Sequence, residues 1–541
     1  MRRALKLIGV SFLVGALSLG AAWAGAGLTS APGDLTGEAG LPDASGAKAA
    51  KVQPLRTKVA TGTPVTEITP EQGEVLAGAA KIDIAPQPPE GAAWERNPDE
   101  CRTAPPNNPS QVTHVAHAGS PWPENPDCIY SGGFGIGPMN GLTEFDPEHG
   151  LWVRTFAMKG SNGKTFTGTL IDGEGWFWDY KSKCERCGVK QITEDVAANP
   201  DLGLEADGIM IGSTHSHAAP DFIGGWGFVP DWYMEQVTNA IKDSIAEAVT
   251  SMQPARLEVG EELARRFNSE RRETYHSAEE QQLSWMRAVA SPGNAIPPSK
   301  TIFTIGSFAA HPTSKGSGPV AHADYHVTWA KAVEDRFGGT GILFPSGLGN
   351  MSSRMGGDGS GLGQIVPAVG KGTILTNTEI RYGRTLWGQP TTNAPLTALG
   401  APGFFDREFL ASPAHVNVGK HEGAPCTSAS PTSVELTVQA VRIGDQLALS
   451  AAPGEVFSNL TNTLKDKSGA LVTLPMAQAN DALGYMPQSF EMAKNPASNQ
   501  GAGFATSGPG HIEYEDAYSV DRCVGDAVLE NTIALLGSLT G

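Results

Sequence analysis

Four times along this 541-residue chain, a short apolar run breaks into a loop that carries a side chain able to hold a metal or move a proton. Ile209-Met210-Ile211 leads into Gly212-Ser213-Thr214-His215-Ser216-His217, and Ile302 to Ala310 leads into His311-Pro312-Thr313-Ser314. Gln446 to Ala451 leads to Glu455, and Leu471 to Ala477 leads to Tyr485. Apolar runs this short read as buried strands. In mixed α/β proteins, loops beyond the carboxyl ends of strands are where polar chemistry converges. A chain punctuated in this way is expected to gather these side chains at one end of its sheets.

The first loop is the most specific of the four. Side chains alternate along a strand, so His215 and His217 are predicted to point to the same side as the chain leaves the sheet. Two imidazoles on one face suit a divalent metal, zinc first, because neutral imidazole is a preferred zinc ligand. A lone His-x-His is as readily a pair in a polar loop; its company is what carries the metal reading.

Charge and composition exclude some classes. The formal charge is −18, and no Lys/Arg cluster lies outside the extreme N-terminus, which argues against nucleic acid and against electrostatic docking on anionic lipid. Arg2, Arg3 and Lys6, an apolar run from Leu7 to Leu19, and Ala22-Trp23-Ala24 read as a signal peptide over residues 1–24. No other stretch approaches the ~20 apolar residues of a membrane span. The expectation is a secreted, periplasmic or cell-surface protein without a transmembrane segment. Residues 25–74, rich in Ala, Gly, Thr and Pro, cannot bury enough surface to fold and read as a disordered lead-in to a single domain over 75–541.

Six cysteines in an exported chain suggest disulfides. Sequence proximity favours Cys101–Cys128 and Cys184–Cys187, leaving Cys426–Cys523 as the long-range bridge. Along the rest of the chain, Val75–Ile84 reads as an edge strand, Trp152–Met158 and Phe166–Asp172 as a hairpin, and Asp231 as the N-cap of a helix. That helix has its apolar face on Val237, Ile241, Ile245 and Val249. Trp329–Phe337 also looks helical, whereas a long polar segment precedes Ile302 and residues 384–425 show no clear periodicity. Read alone, Arg271 and Arg272 are a solvated face, and Asp324 is a structural anchor or helix cap.

Taken in order, these motifs resemble the neutral ceramidase family. The match runs through Thr214-His215-Ser216-His217 to Pro220, His311-Pro312-Thr313-Ser314 with Asp324 beyond it, Pro453-Gly454-Glu455-Val456-Phe457, and Asn480 with Tyr485 five residues on. The resemblance covers roughly residues 76–541. It implies a single large α/β catalytic domain of mixed β-sheets with flanking helices; the C-terminal immunoglobulin-like domain of many members is not expected here. It also implies one catalytic zinc and cleavage of the N-acyl amide bond of ceramide or a related N-acylated lipid, possibly presented at a membrane surface.

Carried over, the zinc ligands are His217, Glu455, Tyr485 and a histidine ahead of the Val153-Arg154-Thr155-Phe156 strand. His149 is preferred for that last place, although the spacing lands one residue off, on Glu148. His215 then becomes a donor beside the metal, and His311 and Ser314 complete the catalytic set. Ser314 is either an oxyanion donor or a nucleophile. Three departures bear on substrate: Ala218-Ala219-Pro220-Asp221 stands where the family has Gly-Pro-Gly-Gly, Lys315 follows the His-Pro-Thr-Ser element, and the chain ends near the end of the family's catalytic domain. They leave open a different small N-acyl amide, while the shifted first histidine leaves open an exported protein that keeps the fold and a zinc and only binds lipid or another ligand.

Overall fold

The computed structural model describes residues 70–102, 115–116, 123–133, 140–272, 278–291, 300–316, 318–394, 396–397, 406–411, 414–421, 424–492 and 514–540. The expected signal peptide and nearly all of the lead-in lie outside these residues.

Nine strands form the larger sheet: β1 (Val75–Asp83), β2 (Trp152–Lys159), β3 (Thr165–Ile171), β4 (Ile209–Ser213), β5 (Gln253–Leu263), β6 (Gln282–Ala290), β7 (Thr301–Phe308), β8 (Thr340–Pro345) and β9 (Thr373–Ile374). Their order is β8-β7-β6-β5-β1-β2-β3-β4, with β9 paired to β5. The pairs β7/β8 and β3/β4 are parallel and the others antiparallel. A second sheet, in the order β10 (Ile380–Pro390), β11 (Ser433–Ile443), β12 (Leu447–Ala451) and β13 (Val472–Met476), ends in a parallel pair.

Strand alternation stacks the two sheets face to face. Phe156, Met158, Met210 and Ile305 of the first meet Val441, Ile443, Leu447, Leu449 and Leu474 of the second in one core. The intervening residues Val153, Ala157, Ile209 and Ile211 face the opposite way, onto helices α1 (Val189–Ala197) and α2 (Asp231–Thr250). Leu436, Val438 and Ala448 likewise face α4 (Ser458–Lys467) and α5 (Val524–Ser538), while α3 (Tyr325–Phe337) packs on β7 and β8. The result is a layered helix–sheet–sheet–helix domain, the expected mixed α/β class. Phe156 lies at its centre, with the rings of Phe166, Phe303 and Phe344 around it at 5.5 to 6.4 Å. Truncating a fully buried Phe of this kind to Ala costs about 3–5 kcal/mol.

Four expectations need correction. The opening strand is central rather than at an edge, held on both sides by β5 and β2. Asp231 is the first residue of α2 and Pro230 its cap; the Asp231 carboxylate instead pairs with Lys183 at 2.6 Å. The polar segment before Ile302 contains β6, whose Arg287 is buried against Glu258 and so disguises a core strand. Residues 384–425 hold most of β10 and a hairpin, Ala414–His421 with Ala424–Ser430, whose polar residues hide the period. All three disulfides pair as sequence proximity favoured. No helix among the described residues is long and apolar enough to cross a membrane.

Candidate metal centre

Five chain segments bring polar side chains to one place, each just past the carboxyl end of a strand. Glu174 follows β3, His215 and His217 follow β4, His311 follows β7, Glu455 follows β12, and Tyr485 lies nine residues beyond β13. The sheets are tied together here by backbone. Asn480, held at a positive φ of 66°, donates its N–H to the Ile211 carbonyl, and its side-chain oxygen accepts the Ile211 N–H. Ser213 N–H donates to the Gln478 carbonyl.

The His-x-His loop leaves β4 with His215 at φ 59°, a conformation that costs a non-glycine residue about a kilocalorie or more. Its backbone is held at Thr214 N–H to Ile171 O, His215 N–H to Gly173 O, and His217 N–H to Pro312 O. The loop therefore docks on the segments that carry Glu174 and His311.

His215, His217 and His311 are all buried and offer ring nitrogens within 4.8 Å of one another. His217 Nε2 and His311 Nε2 are 3.1 Å apart. Glu455 Oε2 lies 3.4 Å from His215 Nε2 and 3.7 Å from His311 Nε2. Ligands at zinc–nitrogen distances of about 2.0–2.1 Å in a tetrahedron stand roughly 3.3 Å apart, so these spacings fit one ion.

The outer ring nitrogens set the tautomers. His215 Nδ1–H donates to the Glu174 carbonyl at 2.9 Å and His311 Nδ1–H to the Leu348 carbonyl at 3.2 Å. In the neutral rings this leaves both Nε2 lone pairs facing inward. His215 Nε2 and Glu455 Oε2 are buried with no hydrogen-bond partner, as expected of atoms that await a cation.

Electrostatics agree with this reading. Burial pushes His217 and His311 well below the usual imidazole range, reinforced by the His215 and Arg271 charges, so both stay in the neutral form that binds metal. Burial opposes a proton on His215 as well, but the Glu174 and Glu455 carboxylates outweigh it and raise that ring to about 9. Two carboxylates around one imidazole favour positive charge at this spot, whether it is carried by a proton or by a metal ion.

Glu174 was not anticipated from the sequence. It is fully buried, both its oxygens lack hydrogen-bond partners, and Oε1 lies 3.5 Å from His215 Nδ1 and 3.9 Å from His217 Nε2. Burial, opposed by His215 and helped by Asp221 and Glu455, raises its pKa to about 8. The signal was present: a strand ending in Asp172-Gly173-Glu174 repeats the strand-then-charge pattern of the other loops.

Other expected residues take definite places. Tyr485 stands opposite Glu455 in a two-residue parallel pairing, Glu455–Val456 with Tyr485–Met486. Its ring stacks on His311 with centroids 6.2 Å apart, and its hydroxyl oxygen accepts from Arg271 at 3.0 Å. Arg271 also donates to the Gly349 carbonyl and pairs with Glu515, while Arg272 is buried against Asp516. These arginines brace the site rather than forming a solvated face. Asp324 caps α3 through the Tyr325 N–H and accepts the backbone N–H groups of Ser314 and Lys315. Ser314 is exposed in the turn that Asp324 holds. Asp221, buried beside the loop, accepts three backbone N–H groups, from Ile223, Gly224 and Trp226.

The structure does not bring His149 to this centre. Asp146 Oδ1 accepts the N–H groups of Glu148 and His149, folding the chain back before β2, so the His149 ring meets Asp146 and His322 instead. Glu148, the alternative, points into solvent.

A mixed α/β fold with a buried three-histidine, one-carboxylate centre at its strand ends presents a donor set that could hold a metal ion. Two solved structures share the fold. The neutral ceramidase of Pseudomonas aeruginosa matches with a TM-score of 0.57 at 15% identity, over 87% of this chain and 75% of that one. A structure described as ceramidase complexed with C2 matches with a TM-score of 0.55 at 14% identity, over 86% and 75%. No known family profile matches the sequence, and no curated protein is found as a relative.

Proposed function

We propose that this chain is a zinc-dependent amide hydrolase that cleaves the N-acyl bond of ceramide or a closely related N-acylated lipid, releasing a fatty acid and a free amine. The observation that carries this reading is the convergence of His215, His217 and His311, with Glu455 against two of them, on a fold shared with neutral ceramidase.

An amide is a poor electrophile and water a poor nucleophile. His215, His217, His311 and Glu455 would hold the zinc, which would supply Lewis acidity to acidify water and polarise a carbonyl. The chain's own groups do the rest. Glu174, buried without a hydrogen-bond partner beside His215 and His217, is placed to take and return a proton. Tyr485, whose hydroxyl accepts from Arg271 and whose backbone pairs with Glu455, offers a hydroxyl group beside the centre. Ser314, exposed three residues beyond His311, serves as oxyanion donor or nucleophile. Three disulfides support the reading of an exported protein.

Product analysis tests the proposal. Incubation with a panel of ceramides and shorter N-acyl amides should yield fatty acid and amine in equal amounts, and the Glu455→Ala variant should yield neither. Cleavage confined to the shorter amides would keep the hydrolase and replace the substrate. One observation favours a second reading, a lipid-binding protein that holds metal without turnover: His149, expected as a ligand, stands outside the centre. Zinc-loaded protein that binds ceramide and releases nothing would select it.

A further inference from the structure

A second group of metal-competent side chains lies apart from the centre just described, and the fold builds it in a specific way. The short strands Glu144–Phe145 and Val320–Ala321 pair in parallel, Glu144 with Val320 and Phe145 with Ala321. The next residue on each strand is Asp146 and His322, so the pairing sets these two side by side, and Asp146 N–H donates to the Ala321 carbonyl at 2.9 Å. Asp146 Oδ1 is occupied by the Glu148 and His149 N–H groups, which leaves Oδ2 to face outward from the turn. Gly150, at φ 69°, closes the turn with its N–H on the Asp146 carbonyl, and Trp152 Nε1–H fixes the His149 carbonyl at 2.6 Å.

The donor atoms then converge. Asp146 Oδ2 is 3.0 Å from His149 Nδ1 and 3.1 Å from His322 Nε2, and all three lie within 4.8 Å of one another. These spacings are close to the roughly 3.3 Å between ligands of a tetrahedral zinc. The three side chains are 7 to 15% exposed, so water can complete the coordination. Glu148 adds a carboxylate 3.8 Å from His149 Nε2, while the Lys315 charge acts on His322 in the opposite sense.

We propose that Asp146, His149 and His322 form a second, structural site for a zinc-like divalent cation, distinct from the His215–His217–His311 centre. Its consequence reaches that centre through backbone. His322 N–H donates to the Ala218 carbonyl at 2.8 Å, and Ser216 Oγ–H donates to the His322 carbonyl at 2.7 Å. An ion on His322 therefore fixes the segment against which the His-x-His loop is held.

The test is metal stoichiometry on the full chain, stripped with chelator, titrated with Co²⁺ and followed by absorbance and elemental analysis. Two equivalents per chain are expected. His149→Gln, which keeps an N–H for Asp146 while removing the ligand nitrogen, should bind one and lose the thermal stabilisation that accompanies the second. Glu455→Gln should weaken the other equivalent and leave this one. A single equivalent in the unmodified chain that Glu455→Gln weakens and His149→Gln leaves intact overturns the proposal. Two equivalents persisting in both His149→Gln and His322→Gln place the second ion elsewhere and overturn it equally.

Discussion

His217 Nε2 and His311 Nε2, ninety-four residues apart in sequence, face each other at 3.1 Å in the interior. Both rings are held neutral by burial, and the opposite nitrogen of His311 already donates to the Leu348 carbonyl. A cation bound by both rings would account for that approach. Replacing His311 by Ala should therefore weaken zinc binding by at least about 100-fold, beyond the 10–100-fold typical of losing a residue behind a ligand. Competition with a chromophoric chelator reads this directly, and unchanged affinity would remove His311 from the ligand set.

Gly133 controls the position of His217. A Cβ added there would lie 2.1 Å from His217 Cγ, and its φ of 84° disfavours any side chain. Gly133→Ala is expected to destabilise the fold by about 1–3 kcal/mol. It should also lower metal affinity, because the ring must shift. Chemical denaturation together with zinc titration measures both, and retention of full affinity would show that the ring has room.

Tyr485→Phe removes only the hydroxyl that Arg271 contacts and keeps the ring on His311. Catalysis should fall by about 100-fold in kcat with little change in KM, as when one positioned donor is lost. The melting temperature should barely move. A change confined to KM would place the hydroxyl in substrate binding instead.

Ser314 is exposed, so Ser314→Ala should alter stability by no more than about 0.5 kcal/mol. Zinc content should stay the same while kcat drops by about 100- to 1,000-fold. Full activity in this variant would confine Ser314 to the turn that Asp324 holds.

His326 gives a pH signature away from the metal. Its Nδ1–H donates to the Leu343 carbonyl at 2.7 Å, and burial lowers its pKa from 6.5 to about 3. Between those values the unfolded chain binds the extra proton. The stability this ring contributes is complete above pH 6.5 and is lost as the pH falls toward 3, at ~1.4 kcal/mol per unit. His326→Gln keeps a donor for Leu343 but cannot titrate. The variant should lose about 2 kcal/mol less than the parent between pH 6.5 and about 5 in urea denaturation, and identical slopes would contradict the assignment.

Much of this architecture is legible in the sequence, for physical reasons. Strands buried on one or both faces, such as β4 and β13, carry dense apolar runs, and α2 repeats its apolar residues every four positions. The loops that end those strands carry the site, so His215, His217, His311, Glu455 and Tyr485 announce themselves by position. Two kinds of feature escape. Strands with buried charge or polar residues, β6 with Arg287 and β10 with Arg384, lose their period because ion pairing and hydrogen bonding satisfy what hydropathy scores as exposed. Turn geometry escapes as well: the Asp146 turn sends His149 away from the centre in which the family resemblance places it, and no spacing rule reveals an aspartate that accepts two backbone N–H groups. Glu174 escapes for another reason: one carboxylate after a strand looks like any solvated turn until His215 and His217 stand beside it.

The most direct test of the central claim is release of fatty acid from a short-chain fluorescent ceramide by the purified chain, with its zinc content measured in the same samples along a chelator titration. The account predicts that release falls in proportion to the zinc removed from the His215–His217–His311 centre and returns when zinc is restored. Release that persists after that zinc is gone, or its absence from fully loaded protein, would contradict it.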